Sequence, residues 1–416
     1  MIIEKRLTNG AKVVMEKIDY VQSVATGIFF KAGAVDEKPE HSGISHYIEH
    51  MMFKGTYKRT AKQIAEDVDM LGGSINAFTG KENTCYYIKT IKENFEQGVE
   101  ILSDMINNSQ YDAAEMEKEK KVIIEEMKMI EDTPDEYAID ILGETVLNGY
   151  DTGKSIIGTR ESVSGIQRDD LINYINDYYL AGNIVISMSG NIDVENAVDI
   201  LERFFGNIKG GSTKRPQQGF EYKSDHVYKY KEIEQTHIAL GNKGCSYDDD
   251  GRFPMTLYSN ILGGSMSSRL FQKVREEKGL AYTVQAFPSS YVDNGYFTIY
   301  AGVGHDKAEE ALDAIKEELI KLRDEGVSDY ELKMTKEQIK GNYIFGQENI
   351  NKRMFAAGRN MLLLNRFVSD EEILEKVENV TKDDIMKVAD DLSRLEDYTA
   401  VILSKEKYDP KQLLQK

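Results

Sequence analysis

Residues 41–56 read HSGISHYIEHMMFKGT and hold three of the chain's six histidines within ten residues. Such a cluster is a coincidence, a packed polar knot or a metal site. Local geometry weighs the three. On a helix, positions four apart share a face, so His46 and His50 can aim their imidazoles at one point. Glu49, three residues after His46, lies beside that point. Two neutral imidazoles on one helix face are good partial ligation for Zn²⁺. A carboxylate next to them that stays off the metal can take a proton from water.

A catalytic zinc needs a third protein ligand and an open position for water. The best source is the charged stretch KEKKVIIEEMKMIED, residues 118–132. Glu119 and Glu126 are seven apart, so they lie on nearly the same helix face two turns from each other. One of them can ligate while the other hydrogen-bonds a ligand histidine from behind. Residue chemistry alone leaves Glu117, Glu119, Glu125 and Glu126 open as the ligand. His41, five residues before His46 across a Gly-containing turn, is a further alternative.

The chain of 416 residues is long enough for two domains, each with its own core. Only IKGGSTKRPQQGFEYK, residues 208–223, breaks the composition, and it reads as a linker. We expect domains at 1–210 and 223–416 joined by 211–222. The halves repeat one order of elements. TNGAKVVMEK and QSVATGIFFKAG alternate as strands, helices follow, and INAFTGKENTCYYIKTI returns to strands before two more helices. The second half runs through THIALGNKGCS, FPMTLYSNILGG, SSRLFQKVREEK, AYTVQAFPSS, NGYFTIYAGV and two long helices. The expected fold class is α+β, a duplicated unit of strands packed with helices. With the two long helices aligned, Glu126 falls opposite Asn342, and the second half has nothing like HYIEH. The His/Glu cluster therefore belongs to the first half alone.

Charge and composition narrow the partners. A formal charge of −19 argues against nucleic acid, whose phosphates need Lys and Arg. No run of about eighteen apolar residues is present, so no membrane span is expected. The N-terminal MIIEKRLTNGAKVVME has no apolar core of a signal segment, and a cytoplasmic location is expected. Cys85 and Cys245 lack CxxC spacing and read as small apolar groups in a reducing compartment. The glycine-rich LGGSMSS, residues 262–268, lacks the GK[ST] ending of a phosphate loop. His226, His237 and His305 have no partners at ligand spacing.

HSGISHYIEHMMFKGT, INAFTGKENTCYY and KKVIIEEM together resemble the pitrilysin family of zinc metallopeptidases, whose HxxEH motif is the inverzincin pattern. The resemblance covers nearly the whole chain and is nearest to the mitochondrial processing peptidase β-subunit and its bacterial relatives. It implies two homologous α/β-sandwich domains with antiparallel-rich sheets, forming half of a clamshell. It implies one Zn²⁺ per chain held by His46, His50 and Glu126, with Glu49 as general base and Glu119 behind a ligand histidine. SMSSRLFQKVREEKGLAYTV resembles the family's C-terminal motif, in which Arg275 and Tyr282 would reach the substrate. The edge strand carrying Asn76, Ala77 and Phe78 would pair with an extended peptide by β-augmentation. Since larger relatives carry four such units and this chain carries two, the resemblance implies a homodimer whose active site is completed in trans. A partner-dependent processing subunit and a non-catalytic core subunit are the competing readings.

Overall fold

Eleven strands form two sheets in the computed structural model, which describes residues 1–415. The first sheet takes β1 Ile2–Arg6, β2 Lys12–Lys17, β3 Ser23–Phe30, β4 Ser74–Thr79, β5 Thr84–Ile91 and β6 Ile184–Gly190. The second takes β7 His226–Tyr230, β8 Thr236–Lys243, β9 Ala281–Ser290, β10 Gly295–Val303 and β11 Thr399–Ser404. Helices up to the middle of the chain are α1 Ile44–Met52, α2 Ala61–Met70, α3 Phe95–Asn108, α4 Ala113–Glu131, α5 Pro134–Val146, α6 Arg160–Gly165, α7 Arg168–Tyr178 and α8 Val194–Phe205. Beyond it come α9 Arg252–Gly263, α10 Ala308–Glu325, α11 Asp329–Gln347, α12 Ile350–Leu363, α13 Asp370–Asn379, α14 Lys382–Leu392 and α15 Pro410–Gln415.

The strand orders are β1-β2-β6-β3-β5-β4 and β7-β11-β8-β10-β9. Without β1, the two sheets have one topology. Each has a single parallel pair, β2 with β6 and β7 with β11, and antiparallel pairs elsewhere. The duplication expected from the element order is therefore a duplication of sheet topology. The central strands β3 and β6, SVATGIFF and IVISMSG, are buried almost throughout, as runs covered on both faces must be. By contrast β4 is an edge strand whose residues alternate between exposed and half-buried.

The chain folds into two compact units whose mid-chain boundary, Pro216/Gln217, lies within 211–222, but each unit also takes a segment from the other half of the chain. Unit 1 comprises Met1–Met127, Lys154–Pro216 and Ile344–Val368, and unit 2 the remaining described segments. Helix α12 thus joins the sheet of the first half, and α5 that of the second. The cause is uncovered apolar surface. One face of the first sheet packs α1 and α3 in a large core. Its other face presents Val14, Ala25, Phe29, Cys85 and Val185, which are buried under Ile350, Met354, Ala357 and Met361 of α12. In unit 2, Ala239, Tyr300, Val401 and Leu403 are buried against Ala138, Leu142 and Val146 of α5. Composition marks a polar stretch and does not report which face still needs cover. Part of the expected linker is itself anchored: Arg215 donates to Asp36 at 2.8 and 2.6 Å and to the Glu82 carbonyl at 2.7 Å.

Residues 271–277, expected as part of a short helix, form a π-helix carrying Arg275. Such widened turns are rare and concentrate at functional sites. Among the described residues, no helix is long and apolar enough to cross a membrane.

Candidate metal centre

Helix α1 begins at a left-handed Gly43 with φ of 90°, where a Cβ would lie 2.5 Å from the Ile157 carbonyl oxygen. Its first free amides are satisfied by one buried side chain. The Glu37 carboxyl accepts from the N–H groups of Gly43 at 2.7 Å and Ser45 at 2.9 Å, at the end of the helix where negative charge is favoured. Burial nevertheless pushes the Glu37 carboxyl up to about 7, against the pull of those amides and of Lys154. Ile44, Tyr47, Ile48, Met51 and Met52 are buried in the core. That packing leaves His46, Glu49 and His50 together on the remaining face.

Helix α4 packs beside α1 through Tyr47, whose hydroxyl donates to the Met116 carbonyl at 2.7 Å. Of the four candidate glutamates, this places two at the histidines. Glu126 Oε2 lies 3.7 Å from His46 Nε2 and 3.5 Å from His50 Nε2. Glu119 Oε2 lies 3.1 Å from His50 Nδ1. Glu117 turns outward to pair with Lys120 at 2.7 Å, and Glu125 is exposed. His41 lies apart from the cluster, paired with Asp170 at 3.5 Å. The structure thus selects among alternatives that the residue types left open.

His46, His50 and Glu126 each offer one donor atom within 4.8 Å of the others. Donors on a tetrahedral zinc at about 2.1 Å are about 3.4 Å apart. The two Glu126–imidazole separations match that edge. The His2Glu set is also the chemistry of a zinc site with an open position. Burial first, and then His50, bring the His46 imidazole down to about 4, so it is neutral and free to ligate. Burial also pulls His50 down, but hydrogen bonds to Glu126 and Glu119 outweigh it and raise this ring. Glu126 is lowered, chiefly by its interaction with His50. His46 Nδ1 is buried without a hydrogen-bond partner, so only His50 is held from behind.

Glu49 accepts a short hydrogen bond from the Thr79 hydroxyl at the end of β4. Burial raises its carboxyl above the usual range, with Thr79 and His50 opposing. A carboxylate raised in this way is a stronger base than a free one, which suits it to proton transfer beside the three donor groups. Thr79 shares its face of β4 with Ala77 and Ile75, while Asn76 and Phe78 project to the other. There Phe78 meets Phe29 and Phe355 edge-on, at 6.5 and 5.6 Å between ring centres. Sequence reasoning missed the roles of Thr79 and Glu37. Thr79 is visible only as the residue whose strand alternation sets it opposite to Phe78. Glu37 lies outside the helix, six and eight residues before the two amides it caps.

In unit 2, Arg275 lies over the rings of Phe271 and Tyr282, at 4.6 and 4.9 Å from their centres. Tyr282 is 73 % exposed, which is unusual for an aromatic side chain at the start of a strand. The pair is thus brought together on the surface of its own unit. His237 bonds the Tyr300 hydroxyl at 2.7 Å, and His305 the Thr236 hydroxyl at 2.9 Å. Cys85 is buried and Cys245 half-buried, both as free thiols.

Comparison with known proteins bears on the chain as a whole. Residues 12–160 match the family model described as insulinase (peptidase family M16), and residues 165–339 the model described as peptidase M16 inactive domain. An uncharacterized zinc protease of Bacillus subtilis, YmxG, is 39 % identical across 96 % of this chain and 98 % of its own length. An uncharacterized zinc protease of Rickettsia felis is 38 % identical across 92 % of this chain and 93 % of its own. Two solved structures share the fold. A protease from Helicobacter pylori superposes with a TM-score of 0.90 at 21 % identity, covering 97 % of this chain and 99 % of its own. A peptidase M16 inactive domain from Pseudomonas fluorescens gives 0.91 at 18 %, covering 98 % and 99 %. With the family models spanning both halves and the HxxEH helix meeting its distant glutamate, the chain belongs to the M16, or pitrilysin, family of metallopeptidases.

Proposed function

We propose that the chain is a zinc-dependent endopeptidase that hydrolyses peptide bonds in unfolded peptides. The convergence of His46, His50 and Glu126 with an unligated Glu49 beside them carries this reading. When bound, zinc supplies Lewis-acid polarisation of the substrate carbonyl and a more acidic water. His46, His50 and Glu126 would hold it. Glu49 takes the proton from the attacking water and later gives it to the leaving amine. Thr79 fixes the rotamer of Glu49, and Glu119 fixes the ring of His50. The open edge of β4 receives the peptide as an added strand, so that recognition rests on backbone and tolerates many sequences.

Two further features belong to the same proposal. The protein acts as a homodimer, and Arg275 and Tyr282 of the partner subunit bind substrate and steady the developing oxyanion. Its place of action is the cytoplasm.

The test is cleavage of quenched fluorescent peptides of increasing length by wild type and Glu49→Gln, with zinc content measured on both. The expected result is cleavage by the wild type only, with one zinc on each chain. Zinc on both chains and cleavage by neither would overturn the stand-alone peptidase and favour a subunit that needs a separate partner.

A further inference from the structure

Glu119 has two carboxylate oxygens, and each has its own partner. Oε2 faces His50 Nδ1 at 3.1 Å, while Oε1 faces the Lys54 ammonium at 2.6 Å. The Glu119 side chain is only 6 % exposed. A buried carboxylate needs such pairing, because an uncompensated buried charge is costly. Lys54 follows α1 by two residues, and the chain turns immediately afterwards at Gly55, whose φ is 117°. The lysine is thus tied to the same helix end that presents His50. Its ammonium reaches the carboxylate from the side away from the imidazole.

We infer that Lys54 is a positioning residue for the metal centre, acting through Glu119 on His50. This inference rests on the zinc-site reading above. Lys54 fixes the plane of the Glu119 carboxylate, which accepts a hydrogen bond from the Nδ1–H of His50 and so leaves the lone pair on Nε2, beside Glu126. The arrangement matters more here than in a site with both histidines braced. Among the described residues His46 Nδ1 has no hydrogen-bond partner, so the imidazole pair is braced from behind through His50 by this chain of contacts. Partners behind metal ligands typically change metal affinity by about 10- to 100-fold. A residue one step further back belongs at the lower end of that range.

The test is zinc affinity, measured by competition with a chromophoric chelator, together with the visible spectrum of the Co²⁺-loaded protein. The proteins are wild type, Lys54→Met, Lys54→Arg, Glu119→Gln and the double variant Lys54→Met/Glu119→Gln. We expect Lys54→Met to bind zinc about tenfold more weakly, with a shifted cobalt spectrum. Lys54→Arg should restore both, and the double variant should bind no more weakly than Glu119→Gln alone. If Lys54→Met does not fold, Lys54→Gln carries the same comparison. Wild-type affinity and spectrum in Lys54→Met, or independent losses that multiply in the double variant, would overturn the inference while leaving the zinc site standing. A wild type that binds no zinc would overturn the zinc-site reading itself, and this inference with it.

Discussion

Gly358 of α12 rests directly on the ring of Phe29 in β3. A Cβ at Gly358 would lie 2.3 Å from Cε2 of that ring, with two more ring atoms at 2.7 Å. Phe29 is 1 % exposed and is held edge-on by Phe78 and Phe355, so it has no room to swing away. Gly358→Ala gains about 1 kcal/mol of helix propensity but overpacks this contact, at about 1–3 kcal/mol. We expect net destabilisation, read as a lower urea midpoint. Gly27→Ala meets chiefly the Met354 sulfur, at 2.4 Å, and touches the Phe29 ring only at 3.0 Å. A flexible thioether yields more easily than a clamped ring, so this variant should cost less. The reverse order would show that α12 is free to lift from the sheet.

The same contact predicts how the chain tolerates being cut. A fragment of residues 1–216 lacks α12 and exposes the apolar face around Val14, Ala25, Phe29 and Val185. It should bind 1-anilinonaphthalene-8-sulfonate and aggregate, whereas the full chain should do neither. A monodisperse fragment with a cooperative melt would contradict this.

Glu37 makes stability depend on pH in an unusual direction. Its folded value of about 7 lies above the ordinary 4.5, so the folded state holds this proton more tightly than the unfolded state. The stabilisation is fully present below pH 4.5 and is lost as pH rises toward 7. Its size is about 3 kcal/mol, from 1.36 kcal/mol per unit. Glu37→Gln mimics the protonated form and should be flat across this window. Urea unfolding at pH 5 and pH 8 reads the result as wild-type stability minus that of Glu37→Gln. That difference should fall by a few kcal/mol on going to pH 8. An unchanged difference would mean that the two helix amides hold the carboxylate ionised despite its burial.

Zinc removal should loosen unit 1. A ligand present at 100 times its Kd stabilises the folded state by about 2.7 kcal/mol. Dialysis against a chelator should therefore lower the melting temperature, and restoring Zn²⁺ should recover it. His46→Ala and Glu126→Gln should melt at one temperature with or without zinc. If these variants respond as the wild type does, the metal binds elsewhere.

The proposal of an active site completed in trans predicts complementation. Glu49→Gln and Tyr282→Phe chains should each be nearly inactive alone. Co-refolded, a mixed dimer has one centre with both intact residues and should recover roughly a quarter of wild-type activity, by random assortment. Peptide cleavage that never exceeds either parent would assign Tyr282 to its own chain or to no catalytic role.

Much of this protein is legible in one dimension because the relevant physics is local. The spacing of His46, Glu49 and His50 sets them on one face of any helix they form, since 3.6 residues per turn depends on nothing outside the segment. The repeated order of strands and helices shows the duplication for the same reason. Locality also explains what was lost. Helical periodicity groups Glu119 with Glu126 but does not say which face of α4 meets α1. That was decided by packing, with Tyr47 bonded to the Met116 carbonyl. The Thr79–Glu49 and Lys54–Glu119 contacts join residues 30 and 65 positions apart, and no pattern along the chain records them. The exchange of α5 and α12 between the units has the widest reach. A sheet buries both faces only where helices are available to cover them, and for the first sheet that helix comes from residues 350–363. Local spacing alone places His46, Glu49 and His50 on one helix face, while tertiary packing selects which glutamate meets the histidines and which segments complete each core.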